Sequence, residues 1–145
     1  MKMKCRLGEP HNGWLPFNLT INDYRLEIEV SDVPQNPVDN LVTGLGQALD
    51  GLESETWLNL EPASYYLRFS PVSCQGICFR IEFADQDTQQ QKHRTTELEL
   101  RGTREEIILP FWRAVKEFES HSFSESAWPR TDGTALTMLE KTIKS

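Results

Sequence analysis

The chain has 145 residues, of which 38% are hydrophobic and 26% charged, with a formal net charge of −7 at pH 7. That is enough for one domain that buries its own core without a disulfide or metal, and the composition excludes disordered, collagenous and coiled-coil proteins. No run approaches the ~18 apolar residues of a membrane span, and Lys2, Lys4 and Arg6 have no apolar segment behind them, so neither a span nor a secretory leader is expected.

Leu19 and Ile21 alternate with polar neighbours, and Tyr24, Leu26, Ile28 and Val30 alternate with Arg25, Glu27 and Glu29. Period two predicts antiparallel strands with one dry face and one wet face, and in the second strand the wet face carries the acids. Asn22-Asp23 is the expected tight turn between them. Pro34 and Pro37 end the second strand. Val38, Leu41, Val42, Leu45, Ala48, Leu49 and Leu52 then recur at helical spacing and predict a helix over 37–52. Asn36 is its expected N-cap, Pro37 its first helical residue, and Gly51 or Glu53-Ser54 its stop. Gly44 and Gly46 each cost about 1 kcal/mol relative to alanine in a helix, which predicts close packing of this helix on the sheet, with a flexible hinge as the rarer alternative.

Strands are expected over 56–60, 65–70, 76–84 and 95–100. In the third of these Ile77, Phe79, Ile81 and Phe83 share a face, and Arg80 and Glu82 are expected to meet Glu97 and Glu99 across a hairpin. A polar loop, 85–94, joins the last two. Thr103 and Glu106 form a capping box ahead of Ile107, Ile108, Phe111, Trp112, Val115 and Phe118 on one helical face. Pro110 either kinks this helix or marks its true start, leaving 103–107 as a separate turn. Leu136, Leu139 and Ile143 suggest a terminal helix over 134–144. The expected fold is α+β in a single domain, 1–145: one antiparallel sheet of five to six strands, a short helix inserted after the early strands, and one or two C-terminal helices on one face.

The charge is unevenly spread. Between residues 17 and 62 there are nine acids and one base, Arg25, a local charge of −8. Such a surface repels phosphate backbones and anionic lipid, so direct nucleic-acid and membrane binding are not expected. It suits a basic protein partner. Solubility alone is the plainer explanation of an acidic chain.

Candidate chemistry is sparse. Cys5, Cys74 and Cys78 are an odd set, which reads as reduced thiols in a cytoplasmic protein, and their spacing predicts no zinc site. His11, His93 and His121 lie in no catalytic signature. Glu27 with Glu29, and Glu97 with Glu99, place paired carboxylates on strand faces, as a glycosidase would need, but a solvated strand face explains them as well. Gly44-Leu45-Gly46 lacks the third glycine of a dinucleotide loop. Neither a catalytic residue nor a cofactor is expected. Trp14, after the His11-Asn12-Gly13 turn, and Trp128, before a proline in a polar stretch, are the tryptophans least easily buried, and such residues anchor interfaces.

Asn12 to Pro16 before the first strands, Ser31 at a strand end, Leu41, Leu45, Ala48 and Leu49 on a short helix, and Glu61-Pro62 in the following strand give residues 12–85 a layout. It resembles a group of uncharacterised small bacterial proteins and the acidic α+β immunity proteins of polymorphic and contact-dependent growth inhibition toxin systems. The resemblance implies a stoichiometric inhibitor that covers the active or binding surface of a basic toxin domain, such as a nuclease. The partner-binding candidates are Glu27, Glu29, Asp32, Asp50, Glu53, Glu55 and Trp128. A small enzyme with an unrecognised site, or a homodimeric structural or ligand-binding domain, is the alternative.

Overall fold

A computed structural model describes residues 1–72, 76–85 and 94–120. The expected terminal helix over 134–144, Trp128, His93, His121 and Cys74 lie outside the described residues.

The strands form two antiparallel sheets rather than the single sheet expected from the sequence. In the first sheet β1 (Met3–Leu7) and β3 (Tyr24–Ser31) flank β2 (Trp14–Ile21). In the second, β4 (Ser54–Asn59), β5 (Ser64–Pro71), β6 (Gly76–Ala84) and β7 (Thr95–Thr103) follow in chain order. The helix α1 (Pro37–Leu49) separates the two sheets in sequence, and α2 (Arg104–Ser120) follows the second. Strand β1 was not anticipated: Met3, Cys5 and Leu7 do alternate with Lys4 and Arg6, and they pair with Ile21, Leu19 and Phe17 of β2.

One core lies between these layers. From the first sheet it takes Cys5, Leu15, Phe17, Leu19, Leu26 and Val30. The second supplies Leu58, Leu67, Phe69, Ile77, Phe79 and Ile81, and the helices add Leu41, Leu45, Ile108, Phe111 and Val115. Phe111 meets Phe69 edge-on at 5.6 Å and Phe79 at the same distance, which locks α2 over the second sheet.

Both helices start as expected. The Asn36 side chain accepts from the Val38 N–H at 2.9 Å, and Pro37 occupies the first turn. Helix α1 ends at Asp50, with Gly51 at φ +84°, a conformation that favours glycine. Close packing holds for Gly44 alone: a Cβ there would lie 2.8 Å from Thr56 Oγ1, whereas one on Gly46 would meet nothing within 4 Å. Thr103 and Glu106 exchange their two capping bonds at 3.0 Å each. Helix α2 begins there and runs through Pro110, so 103–107 is not a separate turn.

Two hydrogen bonds tie β3 and the segment that leaves it to the outer strands of the second sheet. Tyr24 Oη donates to Glu97 Oε1 of β7 at 2.9 Å, and Asn59 Nδ2 at the end of β4 donates to the Val33 carbonyl at 2.7 Å. Asn59 ends β4 and Glu97 lies near the start of β7, so in this antiparallel sheet both are at the same end. Strand β3 with its exit to Val33 therefore runs across that end from one edge to the other.

Candidate functional site

The register of β2 with β3 sorts the outward face of the first sheet into rows. Lys4, Thr20 and Arg25 form one row, and Arg6, Asn18 and Glu27 the next; Pro16 then faces Glu29, and Trp14 faces Ser31. The face is basic at one end and acidic at the other. At the acidic end a tight turn brings in His11. Its backbone exchanges two 2.9 Å hydrogen bonds with Trp14, while Asn12 and Gly13 take positive φ values, the requirement of a two-residue hairpin turn. This holds His11 Nε2 3.2 Å from Glu29 Oε1. The Asp32 N–H donates to the Gly13 carbonyl at 3.0 Å, and a Cβ on Gly13 would lie 3.0 Å from Asp32 Oδ1. Arg25 reaches Glu27 at 3.9 Å, with both side chains largely in water, a contact that contributes little.

The outward face of the second sheet is organised differently. Glu53 is ion-paired with Arg68, and Glu55 with Arg94. Glu82, only 7% exposed, has Arg94 at 3.3 Å, Arg68 at 3.8 Å and Arg80 at 3.9 Å. Arg80 also meets Glu99 at 3.2 Å, as the sequence suggested. The Arg94 guanidinium stacks 3.6 Å from the centre of the Tyr66 ring. Burial acts to lower the pKa of Arg94, but Glu55 and Glu82 outweigh it and the net shift is upward. The Cys78 thiol, and then Arg80, hold Glu99 below the usual carboxylate range.

The expected match of Glu82 with Glu97 or Glu99 fails at a bulge. Ile81 pairs with Leu98 but Glu82 pairs with Thr96, which leaves Glu97 over. Its carboxylate accepts from Tyr24 and lies close enough to Tyr65 to act on that phenol as well. Burial, then Glu97, raises the pKa of both phenols. Glu97 and Glu99 thus serve different partners and are not a matched carboxylate pair. Glu61-Pro62, read as part of a strand, lies in the turn between β4 and β5.

The candidates therefore do not share one surface. Glu27, Glu29 and Asp32 lie along β3 and its exit. Glu53 and Glu55 lie at β4 and are ion-paired within the chain. Asp50 is the exposed C-cap of α1. The ring of Arg68, Arg80 and Arg94 around Glu82 was missed, because only strand register brings these residues together. Among the described residues no three or more His, Cys, Asp or Glu side chains are grouped to hold a metal ion, and no helix is long and apolar enough to cross a membrane.

No family model matches the chain, and no curated protein matches it in sequence. Among solved structures, a chain of "CdiA-CT/CdiI toxin and immunity complex from Enterobacter cloacae" is similar at a TM-score of 0.47 and 10% identity, over 80% of this chain and 98% of that one.

Proposed function

We propose that this chain is a non-catalytic protein-binding module, an immunity protein that neutralises a cationic toxin domain by covering its active or binding surface. The observation that carries the reading is the unequal use of acids on the two sheets. Glu53, Glu55, Glu82 and Glu99 each have an arginine within 4.0 Å, so their charge is largely balanced within the chain. Glu27 and Glu29 project from the outward face of β3, where an exposed Arg25 and the imidazole of His11 are their nearby partners. Glu27, Glu29 and Asp32 thus offer negative charge to an approaching cation with weaker competition from the chain's own arginines than Glu53 and Glu55 face from Arg68 and Arg94. Strand β3 is also an edge strand of its sheet, with β2 as its one ladder partner among the described strands. The layout of residues 12–85, with its resemblance to immunity proteins, supports a toxin domain as the partner.

The test is affinity capture on the immobilised chain from the producing organism, followed by titration of the captured protein at two ionic strengths. The reading expects a stoichiometric complex with a basic protein, an association rate that falls steeply with salt, and protection of cells that make that protein. A neutral or acidic partner, or binding indifferent to salt, contradicts it.

A further inference from the structure

We infer that Trp14, with Pro16, Glu29 and Asp32, forms a cradle for an arginine or lysine side chain of a protein partner. The inference rests on the functional reading above and gives its docking face a specific anchor. Trp14 and Pro16 lie on the outward face of β2, at its junction with the His11–Trp14 turn. Trp14 is half-buried, not packed away with Leu15 and Phe17, which point to the core. The register sets Pro16 directly against Glu29, and Trp14 one row further along, against Ser31. Asp32 follows Ser31, with its carboxylate against Gly13 beside Trp14.

An indole one row from the Pro16–Glu29 pair, with the Asp32 carboxylate held at the adjoining turn against Gly13, matches a cation on an apolar stem. The stem covers Trp14 and Pro16, the charged head lies over the ring face, and the carboxylates supply the counter-charge. A guanidinium fits better than an ammonium, because it is planar, stacks on aromatic rings and gives two parallel donors to one carboxylate. Glu29 already has the His11 imidazole Nε2 at 3.2 Å from one of its oxygens, and an incoming guanidinium replaces that imidazole or uses the second oxygen. The turn is fixed by its own backbone bonds, so Trp14 is held in place before a partner arrives, which lowers the entropy lost on docking. Charge complementarity selects the occupant: this end of the face carries acids, while Lys4, Arg6 and Arg25 sit at the other end and repel a second cation there.

The experiment uses the full chain and an acetylated, amidated tetra-arginine peptide as probe, read from the indole N–H resonances of the tryptophans. The expected result is a saturable shift of the Trp14 resonance, with Trp57 and Trp112 unmoved. Trp14→Leu should weaken the peptide by about tenfold, the scale of a cation–aromatic contact, and Glu29→Gln should weaken it by about threefold. A Trp14 resonance that does not move, or equal affinity in Trp14→Leu, overturns the inference. Should Trp14→Leu fail to fold, Trp14→Phe together with Glu29→Gln carries the same comparison. The captured protein separates the two levels of the account. If Trp14→Leu binds it as the unaltered chain does while charge reversal at Glu27 and Glu29 weakens it, the cradle is wrong and the functional reading stands. If neither change matters, both fall.

Discussion

Tyr24 and Glu97 are 73 residues apart in sequence, yet the phenol donates to the carboxylate over 2.9 Å and joins β3 of one sheet to the bulge in β7 of the other. With the Asn59 bond to the Val33 carbonyl, it fixes the strand that carries the candidate docking acids across the end of the second sheet.

This bond has a pH signature. The folded-state pKa of Tyr24 is raised by burial and then by Glu97, so its contribution is fully present below the ordinary tyrosine pKa of about 10 and is lost as pH rises through the folded value. Tyr65 follows the same rule. Stability measured by urea unfolding should therefore fall above about pH 10. Tyr24→Phe should cost about 1 kcal/mol at neutral pH, a hydrogen bond to a partly exposed charged group, and should flatten the alkaline decline. An unchanged alkaline slope in that variant contradicts the pin.

The two helix glycines should respond in opposite directions. Gly46→Ala meets open space and should stabilise the chain by about 0.5–1 kcal/mol. Gly44→Ala drives its methyl against Thr56 Oγ1, whose oxygen also lies 3.5 Å from the Asn40 carbonyl, and should destabilise by about 1–3 kcal/mol. Thermal unfolding of the two variants side by side decides it.

Arg68 binds acids on both sides of β5, bridging Glu53 and Glu55 to the buried Glu82. Arg68→Met should cost about 1–2 kcal/mol. That is less than the 3–5 of a fully buried pair, because part of Arg68 stays in water and Arg94 still serves Glu82. A variant with unchanged urea midpoint would show that the ring of arginines contributes nothing.

The capping box of α2 gives a local test. Thr103→Ala removes the acceptor for the Glu106 N–H and should cost about 1 kcal/mol. The Thr103 N–H holds the Glu106 carboxyl below its usual range, so that support is present above the unfolded carboxylate pKa and is lost as pH falls through the folded value. Glu106→Gln should reduce the acid-side loss in the same unfolding series.

What the sequence disclosed was local. The Tyr24–Val30 alternation, the Asn36-Pro37 helix start and the Thr103–Glu106 box are each complete within a few residues, and each forms as the local chemistry dictates. The division into two sheets was hidden, because nothing between Ser31 and Ser54 says whether β4 rejoins β3 beyond α1. Strand β1 was hidden because its Met3, Cys5, Leu7 alternation is only five residues long and is broken up by Lys4 and Arg6. The acidic run from 17 to 62 looked uniform only in one dimension. Register places Glu55 opposite Arg68 and brings up Arg94 from 39 residues away, while Glu27 and Glu29 stay on a different sheet.

The central claim is that β3, not β4, presents the docking charge. It is tested most directly by stopped-flow association of the captured partner with two variants, Glu27→Lys/Glu29→Lys and Glu53→Lys/Glu55→Lys, at low and high ionic strength. Both variants change net charge equally, so only location distinguishes them. The account predicts that the β3 reversal slows association by about tenfold or more at low salt and much less at high salt, while the β4 reversal chiefly lowers stability. Equal rates for the β3 variant and the unaltered chain at low salt, or a larger slowing from β4, would contradict it.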